Sequence, residues 1–379
     1  MKRFVSTYLN ELKGCATDIG VMVFLLLVPL GYPLLYSYIY SHEVVRDIPI
    51  AVVDLSQSSW SREFLCKADA TPEIKVSYKS TDMLSARHLM ADEKVKGIIL
   101  IPQGFAQDIS LGNQAHVSIY CSMASLFYYK AMLVACTEVS LDMNSNIQAS
   151  RMNGATAQQI KIATTPLPGE AVGISNPTVG FANFIIPAIL VLIIQQILLL
   201  GIGMRMGTLY SERVTIPAPL SGHIAAYLTI CMPISAYLLC IVPHIFGLSQ
   251  LANGYTLAIF IFPYLLSGIL FAITVGSFIH ERETPMLLFV FTSVPLLFLS
   301  GISWPSSNIP YFWHIISYIF PSTAAINGFV AINSMGASLN EVLNHYCLLW
   351  VHTIIYAYTA YQAVKYRNRK IDKLKFCDA

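Results

Sequence analysis

Uninterrupted apolar length is what most limits the folds open to this chain. Ile19 to Tyr40 reads IGVMVFLLLVPLGYPLLYSYIY, and from about residue 181 the sequence stays apolar almost to its end. Roughly 20 such residues, wound as a helix, match the ~30 Å hydrocarbon core of a bilayer. In that solvent every backbone N–H and C=O must be bonded within the protein, which makes a helix the natural spanning element. Spans are expected at 19–41 and at about 181–204, 223–246, 255–279, 286–301 and 344–364. The stretch 302–343 is apolar but broken by Pro305, Pro310, Pro321 and Gly328, a pattern suited to a re-entrant helical hairpin. Only 12% of residues are charged and mean hydropathy is +0.59. Soluble domains carry about 25% charged residues, so a single soluble globule is excluded.

Lysine and arginine set the expected orientation. Twelve of the 23 lie near span ends: Lys2, Arg3, Lys13, Arg205, Arg213, Arg282, Lys365, Arg367, Arg369, Lys370, Lys373 and Lys375. With six spans all of these fall on one side, and the segments 247–254 and 302–343 on the other side hold none. The remainder lie within 42–180, a stretch long enough to cross largely regardless of charge. Both termini are therefore expected in the cytoplasm and 42–180 outside. Residues 1–18 carry Phe4, Val5, Tyr8, Leu9 and Leu12 at helical spacing, interleaved with Lys2, Asn10, Glu11 and Lys13. That predicts a short helix lying in the cytoplasmic interface. Net charge is +2 and the basic residues form no single stripe, so the expected partner is membrane lipid and not nucleic acid.

Residues 42–180 have ordinary soluble composition. Strands are expected at Ile48–Val53, Ile74–Tyr78, Gly97–Ile101 and His116–Tyr120, with helices at about 57–68, 81–92 and 103–110 and a long one at about 124–162. Asp54 or Ser56 is expected to cap the first of these helices, and Thr81 or Asp82 the second. The fold class is thus an α-helical polytopic membrane protein with six transmembrane helices and an inserted α/β extracytoplasmic domain. Its parts are an interfacial helix at 1–18, a first span at 19–41, the outer domain at 42–180, a five-helix region at 181–365 and a basic tail at 366–379. None of the eight cysteines forms a C-x-x-C pair, and Cys66, Cys121 and Cys136 allow at most one bridge in the outer domain. Asp54, Ser56, His88 and Asp92 belong to no hydrolase, zinc-protease or phosphate-loop motif, and capping accounts for them more simply. No metal or catalytic site is expected.

The membrane half holds few ionisable groups, which argues against a proton-coupled carrier. Gln195 and Gln196 lie mid-span and are expected at a solute path or a subunit interface, together with Phe291, Pro295 and Leu299 on the fifth span. The loop 205–222 follows the second span. Gly207 with Thr208 is expected to break and cap the helix, a short helix at about 208–215 to carry Glu212 and Arg213, and Pro217 and Pro219 to end it.

Several segments, in order, carry a resemblance: IPIAVVDLSQSSWSREF and VKGIILIPQGF in the outer domain, ISNPTVGFANFIIPAIL at the second span, the Gly-Thr-Leu at 207–209, and PLLFLSGISWPSSNIPYFWHIISYIFPSTAAINGF late in the chain. Together they cover most of the sequence, which resembles the permease subunits of ABC type-2 exporters. The sequence departs from that pattern at the loop, where Arg205 and Met206 stand in place of acids and Glu212 is the nearest carboxylate.

The resemblance implies a bacterial inner-membrane permease that pairs with a second copy or a paralogue. Two cytoplasmic ABC ATPase subunits would bind ATP and Mg, this chain holding no cofactor. It also implies that Arg205, Gly207, Thr208, Glu212 and Arg213 couple to the ATPase. Ser300, Gly301, Pro305, Pro310, Trp313 and Pro321 would form an outer gate. Sparse charge in the spans favours an amphipathic or lipid-like cargo. The alternative is a membrane-anchored secretion or attachment scaffold without transport.

Overall fold

The computed structural model describes residues 2–40, 45–122, 126–152, 156–164, 176, 180–304 and 306–377. It divides into two compact units, Met1–Glu43 with Gly173–Ala379, and Val44–Val172. In chain order the helices are α1 (Lys2–Thr17), α2 (Ile19–Ile39), α3 (Ser59–Asp69), α4 (Met83–Ala91), α5 (Phe105–Leu111), α6 (Leu126–Arg151) and α7 (Ala157–Thr164). They continue as α8 (Phe181–Ser211), α9 (Leu220–Ile245), α10 (Gly254–Gly276), α11 (Thr284–Leu299), α12 (Tyr311–Ser317), α13 (Pro321–Met335) and α14 (Leu343–Cys377).

In the Val44–Val172 unit, β1 (Ile48–Asp54), β2 (Ile74–Ser80), β3 (Gly97–Ile101) and β4 (Ser118–Cys121) form a sheet of order β2-β1-β3-β4. β1 pairs parallel with β2 and β3, and β4 closes the edge antiparallel to β3. Central β1 is apolar on both faces, as a strand covered on both sides must be. Ile48, Ile50 and Val52 pack with Phe64 of α3, Phe105 of α5 and Met132 of α6, while Ala51 and Val53 meet Ala86 of α4.

The cap of α3 differs from expectation. Ser58 caps it, in a reciprocal box with Ser61, and Asp54 instead accepts from the amides of Ser56 and Gln57 and from the Ser61 hydroxyl at 2.7 Å. Asp54 thus holds the turn but stands too early to cap. Asp82 caps α4. The long helix ends at Arg151 instead of running to 162. Cys66, Cys121 and Cys136 are free thiols.

In the larger unit, α8 is the hub. It is apolar all round, and 94% of its apolar window is buried, against 22% for α2. A helix hydrophobic on every face belongs inside others, and α10, α11, α13 and α2 surround it. Among the described residues four helices (α2, α8, α9, α10) are long and apolar enough to cross a membrane, or five if the α12–α13 pair, bent by 88°, counts as one. α11, with 16 residues, is shorter. α2 and α9 each contain one π-helical turn, Val23–Leu27 and Tyr237–Ile241, shortly before Pro29 and Pro243. Proline removes a helical donor and crowds the preceding turn, and a wider turn is one way to absorb that. The Tyr237 hydroxyl donates to the Leu30 carbonyl at 3.0 Å, tying the two irregular helices together.

Gln195 joins two helices. It is fully buried, and its Oε1 accepts from the Ser322 amide at 2.7 Å, satisfying a free donor in the first turn of α13. Tyr264 of α10 donates to the Val191 carbonyl at 2.7 Å one turn away. Both bonds sit where water cannot replace them, so losing one leaves a desolvated group at a cost of about 1–3 kcal/mol. Gln195→Leu should therefore lower the thermal unfolding midpoint of the purified protein. Gln196→Leu should not, because both polar atoms of Gln196 are buried without a hydrogen-bond partner among the described residues. A scanning fluorimetry comparison of the two variants decides it.

Candidate coupling site at the basic end of the helix bundle

α1, the end of α8, the start of α9, the 277–283 turn and the far end of α14 meet at one end of the bundle. The inward stripe of α1 is Thr7, Glu11 and Cys15, one residue per helical turn. Phe4, Val5 and Leu9, three of the apolar residues expected to lie in the interface, point away from the bundle and are exposed. The stripe fits closely against its partners. Gly14 leaves room for the Arg205 guanidinium, which a Cβ would displace, and Gly222 of α9 sits against Thr7 and the Phe4 carbonyl.

Glu11 is 3% exposed. Tyr227 donates its hydroxyl to Oε1 at 2.5 Å, His223 Nδ1 stands 3.0 Å from Oε2, and Arg205 Nε lies 3.6 Å from Oε1. His223 reaches the Pro217 carbonyl with its other nitrogen at 3.3 Å. Burial pushes the Glu11 carboxyl up, but the His223 bond and charge, the Tyr227 hydroxyl and Arg205 outweigh it and hold the group below its ordinary value. One carboxylate thus fastens α1 to α8, to α9 and through His223 to the 212–219 loop.

A second carboxylate works beside it. Asp18 caps α2 through the Gly20 and Val21 amides, stands 3.2 Å from the Thr208 hydroxyl and pairs with Arg282 at 2.5 Å. Thr208 is therefore no helix cap, and Gly207 is no break. α8 runs straight through both to Ser211, and no separate helix occupies 208–215. Gly207 serves close approach instead: a Cβ there would lie 2.7 Å from the Glu281 carbonyl and 2.9 Å from Arg282 Cα.

α14 completes the clamp. Arg367, 1% exposed, donates to the Met206 carbonyl at 2.8 Å and lies over the Tyr210 ring. Burial draws its pKa down to about 10, still charged at neutral pH. Asn368 bonds both the amide and the carbonyl of Ile216, at 3.0 and 2.9 Å. His280 packs edge-on to Tyr210 and meets Lys370 at 2.8 Å; burial and then the Lys370 charge hold its imidazole below the usual range.

From this clamp one short turn projects. α8 ends in a Schellman arrangement, with Val214 N bonded to the Leu209 carbonyl and Arg213 N to the Tyr210 carbonyl. Arg213 occupies the left-handed position, φ +54, that glycine usually takes. Glu212, Arg213 and Val214 are all exposed.

The chain matches the family described as "ABC-2 family transporter protein" over residues 19–361. The chain belongs to this ABC-2 family. It is accordingly a multi-pass membrane protein and the membrane component of an ABC transporter. No curated protein matches it.

The remaining positions singled out in this ABC-2 chain lie apart from the clamp. Phe291, 76% exposed, shares the open face of α11 with Pro295, while Leu299 is half-buried. Ser300 is buried, its hydroxyl on the Leu297 carbonyl at 2.6 Å, and Gly301 ends α11 in a left-handed turn, φ +84. Pro310 precedes α12, Trp313 is half-exposed on it, and Pro321 opens α13. Pro305 lies outside the described residues. His352 and Tyr356 of α14 bond the Tyr318 and Ile319 carbonyls and hold the α12–α13 corner.

Sequence reading missed Glu11, Asp18, His223, Tyr227, Arg282, Arg367 and Asn368 as a set. The available signal was Glu11 itself, the one acid in the first 17 residues, flanked at helical spacing by Thr7 and Cys15.

Removing one partner from a buried charge pair costs about 3–5 kcal/mol, so Glu11→Ala should loosen α1. Cys15 reports this, since burial makes it 4% exposed and lifts its thiol to about 12. In a variant keeping only that cysteine, maleimide labelling should be slow and should accelerate at least about tenfold with Glu11→Ala. Because the folded carboxyl sits below its ordinary value, its contribution is complete at neutral pH and is lost as pH falls below that ordinary value and through the lowered folded one. Protection of Cys15 from a pH-tolerant thiol reagent should disappear in that window.

Proposed function

We propose that this chain is the permease subunit of an ABC exporter, moving an amphipathic or lipid-like substrate outward from the cytoplasm or inner leaflet. ATP and Mg bind to separate cytoplasmic ABC ATPase subunits. In this reading the bundle comprises six spans in a bacterial inner membrane. The basic end and both termini lie in the cytoplasm, and the Val44–Val172 unit lies outside.

The observation that carries the reading is the turn Glu212–Arg213–Val214. It is exposed, polar and strained, while the backbone on either side of it is held by Arg367, Asn368 and Thr208. A left-handed non-glycine residue costs roughly 1–2 kcal/mol. Strain of this kind at an exposed tip motivates a functional assignment. The ATPase would press on Glu212 and Arg213, and α8 would carry the displacement into the membrane.

Pairing with a second permease copy or paralogue rests on the face of α11, which carries an open apolar stripe, Leu287, Phe291, Val294 and Phe298, at helical spacing. The α12–α13 corner, with Ser300, Gly301, Pro310, Trp313 and Pro321, would be the outer gate.

In the complex reconstituted with its ATPase, Glu212→Ala with Arg213→Ala should lower substrate-stimulated ATP hydrolysis about tenfold or more without changing the unfolding midpoint. Unchanged stimulation removes those residues from the coupling path. Orientation is read in intact cells with an impermeant thiol reagent. Lys75→Cys should react and Lys373→Cys should be shielded; the reverse pattern overturns the assignment of sides.

A further inference from the structure

The Val44–Val172 unit contains a cavity that nothing in the coupling scheme uses. It lies between α5, the segment leading into β4, and the second half of α6, and measures about 720 Å³. Small-molecule sites typically occupy roughly 300–1,000 Å³.

Its lining is two-sided. The floor is apolar, formed by Phe64, Phe105, Ile119 and Met143. The rim is uncharged and hydrogen-bonding. Along α6 it is Thr137, Ser140, Asn144 and Gln148, one face of that helix by spacing. Asn113 and Gln114 face them from the loop after α5. Among the described residues no carboxylate lines the cavity, and the one cation that does, Arg151, is engaged: Nη2 donates to the Ile109 carbonyl at 2.5 Å, joining α6 to α5 at one end.

A gap in an ordinary core would show apolar walls throughout, and a solvated surface would not gather two phenylalanines beneath it. Apolar walls with a few convergent polar groups are the pattern of a ligand pocket. The amide and hydroxyl rim selects the head: it can donate and accept hydrogen bonds, and with no carboxylate among the described lining residues a cationic head would be desolvated without a counter-charge.

We propose that this cavity binds an amphiphile with an apolar chain and a hydroxyl- or amide-bearing head that carries no positive charge. Two sources share that chemistry, a monomer from solution and a glycolipid of the bilayer. The site stands independently of the transport reading, and its test measures neither ATP hydrolysis nor flux.

The full-length protein in lipid nanodiscs is photolabelled with a diazirine-bearing decyl glucoside, and adducts are mapped by mass spectrometry. Labelling should saturate, fall on residues 105–119 and 137–151, and be displaced by unlabelled decyl glucoside. Ser140→Trp and, separately, Asn144→Trp should reduce those adducts at least about tenfold by filling the cavity. Adducts on the membrane helices should stay unchanged, which controls for reagent loading, and unchanged resistance of the Val44–Val172 unit to limited proteolysis controls for its folding. A parallel disc carrying a diazirine glucosyl diacylglycerol asks whether the bilayer supplies the ligand; plug-sensitive labelling there supports the site and assigns its source. Non-saturable labelling, or labelling that survives both plugs, overturns the site. Equal labelling by a cationic alkylammonium diazirine of the same chain length overturns the choice of head.

Discussion

Burial of α8 along nearly its whole length governs every other packing choice in the bundle. A helix enclosed by neighbours leaves each of its polar groups to be answered by one of them. α8 has few such groups, and most of them select a specific element. Gln195 selects the first turn of α13; the Val191 carbonyl selects Tyr264 of α10. Arg205 selects α1, Thr208 selects Asp18 at the head of α2, and the Met206 carbonyl selects α14. Apolar contact supplies the bulk of the attraction, and these directional bonds fix which helix lies where.

Two layers result, with different chemistry. Among the described residues the middle of the bundle holds no Asp, Glu, Lys or Arg. The basic end concentrates buried ionisable groups, Glu11 and Arg367 among them, within reach of one another. Buried charges are weak evidence for stability, because desolvation offsets much of their attraction. Their value in this fold is geometric: Glu11 and Asp18 each bind several elements at once, so the elements can take up that arrangement only together.

Much of this is legible in the sequence. The apolar runs announce α2, α8, α9 and α10, because no water-soluble fold accommodates so many hydrophobic stretches of membrane length. The four strands lie close to where their β-branched runs place them. What escapes is whatever depends on distant partners. The Tyr227–Glu11 bond joins residues 216 positions apart, and no local pattern encodes it. The inner face of α1 is set by partners on α8 and α9, Arg205, His223 and Tyr227, that no spacing within residues 1–18 announces. Gly207 resembles a breaker because glycine weakens helices in general; its actual use, contact with the 281–282 backbone, becomes visible only once the two segments meet. Ser58 takes the cap expected of Asp54 because the turn after β1 is longer than the shortest possible connection.

The contact at Gly207 has a mechanical consequence. With main chain pressed against main chain there is no side chain to flex between α8 and the 281–282 segment, and that segment leads directly into α11. Slack that elsewhere would be taken up by rotamer changes is missing at this joint. Under the proposed coupling, a nudge to the tip of α8 would pass to a second apolar helix through a residue with no side chain at all.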